Sequence, residues 1–199
     1  MGGKHIGPAS EEGIRTACAY FDKPGPENTE RTLAAASRRA QELGLTHVLV
    51  ASSSGATGIK ALEYFEPRQL IVVTHSTGFS GPNVQELRAE HRRRLGEAGV
   101  RILTAQHAFG GVGRAVRKKF GTYELEEILA SALRVFGQGV KVAIEITLMA
   151  ADAGLVPTGE PCLAIGGTET GADAALVLRP ANAQTFFDLR VMEIVAKPR

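Results

Sequence analysis

Short apolar runs alternate along the chain with longer amphipathic stretches. "THVLVA" (46–51), "LIVVTH" (70–75) and "VRILTA" (100–105) are continuous apolar runs of strand length. The first two fit strands covered on both faces rather than half-solvated ones, and the third reads simply as a strand. Before the first of them, Leu33, Ala36, Ala40 and Leu43 recur at helical spacing. Asn28 or Thr29 offers the N-cap there, Glu30 suits the first turn, and Gly44 closes the helix. The serine turn at 52–55 leads into a helix running to about Phe65, and a charged helix is expected from Val84 to Ala98, stopping at Gly99. Leu125, Ile128, Leu129, Ala132, Leu133 and Phe136 trace one face of a further helix. "VKVAIEITLMAADAG" is apolar on nearly every side and predicts a buried helix ending at Gly154. "CLAIGG" (162–167) and "AALVLRP" (174–180) read as two more strands. Their link, TETGAD, is too short for a crossover, so the second runs antiparallel. "TACAYFD" is strand-like, and "FFDLRVMEIVAKP" offers an edge strand. The alternation of strand and helix predicts an α/β fold: a mostly parallel sheet between two helical layers.

In such sheets ligands sit beyond the carboxyl ends of the strands. Four small-residue loops follow predicted strands: Ser52–Gly58, Ser76–Gly81, Ala108–Gly113 and Gly166–Gly171. They gather at one edge. The first, in "LVASSSGATGIK", is a strand-to-helix turn rich in hydroxyls. The opening N–H groups of a helix have no intrahelical partner and lie at its positive end. Gly55 is free to take a positive φ and to let a ligand approach, so a Gly55→Val change is expected to block binding with little harm to folding. Ser52, Ser53, Ser54 and Thr57 add donors, which together make a nest for a phosphate monoester. The plainer reading is a serine cap with turn filler. The loop is not a Walker motif, and no G-x-S-x-G elbow occurs. "GGVGRA" (110–115) has the wrong glycine spacing for a dinucleotide turn.

Glu145 is the lone carboxylate of the apolar helix, so it needs a partner or a proton. Either it meets a ligand or it braces a glycine loop or pairs with a lysine. His75 and His107 lie near strand ends, where an acid–base role or a loop hydrogen bond is open to each. Arg92–Arg94 form a solvated face. Arg114, Arg117, Lys118 and Lys119 stand beside the third loop and suit either solvent or an anion. No nucleophile–base pair is visible in the sequence, which disfavours a phosphatase- or transferase-like enzyme.

Composition narrows the partners. The net charge of +2, with 6% aromatic residues and no tryptophan, argues against nucleic acid. No apolar run approaches a membrane span. Cys18 and Cys162 read as two buried free thiols in a reducing cytoplasm, and no metal-ligand spacing appears. Residues 1–15 read as a flexible tail and 16–199 as one domain. Phe186 and Phe187 fit either the core or a subunit contact, which leaves a homo-oligomer open.

"NTERTLAAASRRAQELGLTHVLVASSSGATGIKALE" resembles the C-terminal α/β domain of pyruvate kinase. "THSTGF", "GVKVAIEITLMAADAG", "GGTETGADAALVLRPA" and "FFDLRVMEI" extend the resemblance to a group of small stand-alone microbial, often archaeal, proteins built on that domain. The resemblance implies a five-stranded sheet with the last strand antiparallel. It also implies that the serine loop holds a phosphate, with flavin mononucleotide (FMN) as the ligand. Ser52, Ser53, Ser54, Gly55, Ala56 and Thr57 would surround that phosphate. Thr77, Gly78, Gly110, Gly111, Gly166 and Gly167 would line the rest of the cleft, alongside His75 and Glu145. A sensor binding a sugar phosphate or nucleotide is the alternative that the kinase domain suggests. The kinase's catalytic barrel has no counterpart in this sequence, so phosphate transfer to ADP is not expected.

Overall fold

The computed structural model describes residues 17–199, so the tail expected over 1–15 lies outside the described residues. Seven strands form one sheet: β1 (Ala19–Phe21), β2 (Val48–Ala51), β3 (Leu70–Thr74), β4 (Arg101–Thr104), β5 (Cys162–Gly166), β6 (Ala174–Arg179) and β7 (Arg190–Pro198). Their order across the sheet is β1-β7-β6-β5-β2-β3-β4. β2 pairs in parallel with both β3 and β5, and β3 with β4. β6 runs antiparallel to β5 and to β7, while β1 is parallel to β7. Only β6 is therefore reversed among the described strands.

The expected five strands thus become seven, and the antiparallel strand is internal rather than last. The two additions are the weak strand signals at either end of the chain. β1 has only three residues, and β7 pairs with β6 through two register shifts. Neither irregularity leaves a clean sequence period.

Strand alternation divides the core in two. Val48, Val50, Leu70, Val72, Leu163 and Ile165 point to one face, where α1 (Thr29–Glu42), α2 (Ala56–Ala61) and α3 (Ala89–Glu97) pack. Leu49, Ile71, Val73, Cys162, Ala164, Leu176 and Leu178 point to the other. That face is covered by α6 (Gln138–Asp152), with α4 (Val112–Phe120) and α5 (Leu125–Leu133) outside it. Each buried Leu, Ile or Val contributes roughly 1.5–3 kcal/mol through removal from water. α6 is buried along most of its length, as its all-round apolar sequence requires.

Two local expectations need correction. The charged helix begins at Ala89, not Val84. Residues 76–88 spend their backbone groups on loop contacts instead: Gly78 N–H donates to Val84 O (2.9 Å) and Arg88 N–H to Ser54 O (3.2 Å). Asn28 holds the cap position of α1, yet its side chain gives that helix no cap hydrogen bond. Its amide donates to Lys23 O (2.8 Å) and Gly25 O (3.3 Å), locking the preceding turn. Thr29 ties that turn to the β5–β6 hairpin, accepting the Ala172 N–H at 3.0 Å.

Candidate functional site

The carboxyl ends of β2, β3, β4 and β5 and the start of β6 meet at one sheet edge. A cleft of about 810 Å³ opens there. A hollow of about 460 Å³ at the opposite end, between α1 and residues 62–69, gathers no comparable set of titratable side chains.

The serine loop forms one wall. Ser52 is buried, and its N–H donates to Val73 O (2.9 Å), extending the β2–β3 ladder by one rung. Its hydroxyl accepts the Gly58 N–H (3.2 Å), and that of Ser54 accepts the Ala56 N–H (3.4 Å). Two of the first helical donors are thus already met by serines. The N–H groups of Ser53, Ser54, Gly55 and Thr57 have no partner among the described residues.

Gly55 turns away from the cleft. It adopts φ 89°, and a Cβ there would stand 2.6 Å from both His91 Cβ and Leu87 Cδ1. Close packing of the loop on α3 is what requires glycine here. The expectation that Gly55→Val spares the fold is therefore corrected.

The second wall carries paired ionisable groups. Ser53 Oγ lies 3.1 Å from His75 Nε2, and His75 Nδ1 lies 2.8 Å from Glu86 Oε2. Phe79 packs on the His75 ring with centroids 4.1 Å apart and stacks on His107 at 4.9 Å. The Arg114 guanidinium lies over the Phe79 ring, 4.8 Å from its centroid.

The floor is α6. Lys141 and Glu145 are both buried, and Lys141 Nζ donates to Glu145 Oε2 at 2.5 Å. The other carboxylate oxygen accepts the Phe109 N–H (3.1 Å), so Glu145 braces the third loop and holds a lysine at once. Burial pulls the Lys141 pKa below its ordinary value, and Glu145 pulls it back. His107 Nδ1 sits 3.9 Å from Glu145, while its Nε2 is buried without a partner. Burial pushes the His107 pKa down to about 4, against the attraction of Glu145, with His75, Arg114 and Lys141 adding to the depression.

Of the expected site residues, Ser52, Ser53, Ser54, Ala56, Thr57, His75, Glu145 and Gly167 line this cleft. Gly55, Thr77, Gly78, Gly110, Gly111 and Gly166 lie outside its lining. Gly166 is glycine because a Cβ would overlap the Gly139 carbonyl, where β5 crosses α6. Gly78, at φ 90°, shapes the turn that leads to Val84.

Phe79 and residues 168–171 bring two of the expected edge loops, Ser76–Gly81 and Gly166–Gly171, into the lining, and the cleft also contains groups that the sequence did not single out: Glu86, Arg134, Gln138 and Lys141. Lys141 had a signal, its spacing of four from Glu145 on a helix. Glu86 had none, because the polar pattern placed it inside a helix.

Fold and cleft together define an α/β domain of the open-sheet class, with its ligand edge where the parallel strands end. The chain belongs to the pyruvate kinase alpha/beta domain family, whose family model matches residues 30–178. Among solved structures it is similar to Cryptosporidium parvum pyruvate kinase in complex with ADP, at 15% identity and a TM-score of 0.41. That match covers 77% of this chain and 24% of the kinase, so the chain spans about a quarter of the kinase's length.

Proposed function

We propose that the cleft binds a small phosphorylated molecule, with FMN as the ligand, its phosphate at the serine loop. One observation carries this reading: unpartnered loop N–H groups share a single cleft with arginines that lack a carboxylate partner. Arg114 lies over Phe79 and Arg134 donates to Gln138 (2.7 Å), and neither is ion-paired among the described residues. Donors and cations that converge without internal partners are what an anion requires.

The residues present fit the cofactor. A volume of about 810 Å³ lies within the usual range for ligand sites, roughly 300–1,000 Å³. Ser53, Ser54 and Thr57 would hold the phosphate, while Phe79, stacked on His107, offers aromatic surface for the ring system. A bound flavin would supply reversible hydride and electron acceptance. This chain's own contribution is to bind and orient it.

Titration calorimetry with FMN and with riboflavin tests the reading. FMN should bind and riboflavin, lacking the phosphate, should bind at least about tenfold more weakly, a loss of about 1.4 kcal/mol. No heat and no thermal stabilisation with FMN, but stabilisation by a sugar phosphate, would replace this reading with that of a sensor domain.

A further inference from the structure

We propose that Ser53, His75 and Glu86 form a nucleophilic triad that hydrolyses small carboxylic esters or thioesters. The inference goes beyond ligand binding and does not rest on FMN. The three side chains stand in series: Ser53 Oγ to His75 Nε2 at 3.1 Å, and His75 Nδ1 to Glu86 Oε2 at 2.8 Å. They come from two connections: Ser53 from the one after β2, and His75 and Glu86 from the one between β3 and α3, 22 and 11 residues apart along the chain.

The chemistry of each link is directional. An ionised carboxylate only accepts, so Glu86 places the imidazole proton on Nδ1 and leaves Nε2 as an acceptor. That acceptor faces the Ser53 hydroxyl, the pairing that makes a serine nucleophilic.

The series is held in place from outside. Gln85 bridges the loop, its Nε2 donating to His75 O (3.1 Å) and its Oε1 accepting the Leu87 N–H (2.9 Å). Glu86 therefore hangs between two anchored neighbours. Phe79 covers the His75 ring. Ser53 and His75 both line the cleft, so a substrate reaches them.

The reaction balances with water alone. Ser53 Oγ forms a bond to the carbonyl carbon as its proton passes to His75 Nε2. The bond from that carbon to the leaving oxygen or sulfur breaks, and His75 returns the proton to the departing alcohol or thiol. Water then adds to the acyl-serine, giving His75 a proton that goes back to Ser53 Oγ as the acid leaves. The N–H of Ser54, next after the nucleophile and without a partner, is the donor placed by chain order for the oxyanion.

The test is labelling of the purified full chain with a fluorophosphonate, read by mass spectrometry of the modified peptide. Ester turnover is followed in parallel with p-nitrophenyl acetate. Wild type should label at Ser53 and release p-nitrophenol in a burst. Ser53→Ala should lose both, whereas Ser131→Ala, on the outer helix α5, should keep both. Glu86 acts through His75, so Glu86→Gln should slow labelling roughly a hundredfold, with partial rescue in Glu86→Asp. Thermal melting establishes that each variant is folded. Folded wild type that does not label, or labels elsewhere, overturns the proposal, as does undiminished labelling of Ser53→Ala. Because the FMN phosphate would sit on Ser53, labelling is run on ligand-free protein, where added FMN should protect Ser53; FMN binding by calorimetry without labelling then overturns the triad alone, and labelling without FMN binding overturns the cofactor reading alone.

Discussion

Lys141 and Glu145, one helical turn apart on α6, form a buried ion pair with Nζ and Oε2 separated by 2.5 Å. Both side chains are only 5% exposed. Removing one partner strands the other's charge away from water, which costs about 3–5 kcal/mol. Lys141→Met and Glu145→Leu are each expected to lower unfolding free energy by about that amount in urea titrations. Lys141→Met with Glu145→Leu should cost less than the two single changes added together. It still leaves the Phe109 N–H without its acceptor, worth about 1–3 kcal/mol. A double-mutant cycle gives the coupling directly, and additive losses would contradict the pairing.

Gly55 and Gly44 both have positive φ, at 89° and 62°, but only Gly55 is crowded. A Cβ on Gly44 would meet nothing within 4 Å, so Gly44→Ala should cost only backbone strain, about 1 kcal/mol. Gly55→Ala adds a clash with His91 and Leu87 and should cost about 2–4 kcal/mol. Denaturant midpoints decide this. Equal losses would mean that the α3 contact does not constrain the loop.

Acid should unfold the protein partly through His107. Its pKa is near 4 in the folded chain against 6.5 as the ordinary value, because burial disfavours the imidazolium. Below about pH 6.5 the unfolded chain takes up a proton that the folded chain refuses until about pH 4. Stability from this group is therefore complete above that window and declines as pH falls through it, by roughly 3 kcal/mol in full. Glu145, His75, Arg114 and Lys141 face the ring and contribute to its field. His107→Gln should flatten the stability profile between those two pH values relative to wild type, and an unchanged slope would refute the assignment.

The two thiols should differ in reactivity. Cys18 is half-buried rather than buried, and Cys162 is buried with its pKa pushed up to about 12 by desolvation. At pH 8 only about one Cys162 in ten thousand is a thiolate. A disulfide-exchange reagent should titrate one thiol in the native protein and the second only after unfolding. Two equally fast thiols under native conditions would show that the β5 core opens.

The sequence made the central strands plain because burial on both faces leaves uninterrupted apolar runs. β2, β3 and β5 lie inside the runs that predicted them; β4 does too, although it is the half-buried edge of the sheet. The serine loop was legible as a loop for the same reason: small hydroxylic residues interrupt an apolar run ahead of a helical one. What escaped was anything set by contact between distant segments. Gly55 looked like a ligand contact because packing against α3 leaves no local trace. Glu86 was hidden because its charged neighbourhood mimics a solvated helix, whereas Gln85 and Arg88 bind the loop back onto His75 and Ser54. His107 was visible as a strand-end histidine, but its unpartnered nitrogen depends on α6 lying beneath it.

The reversal of β6 has a consequence for how this architecture diversifies. Because β5 runs up to the cleft and β6 runs back away from it, residues 167–173 arch over the rim between two paired strands. That arch can lengthen, shorten or change its chemistry without rethreading a crossover helix or shifting the parallel ladder. Variation in ligand preference among proteins of this build should accumulate there first, leaving the β2–β3–β4 platform unaltered.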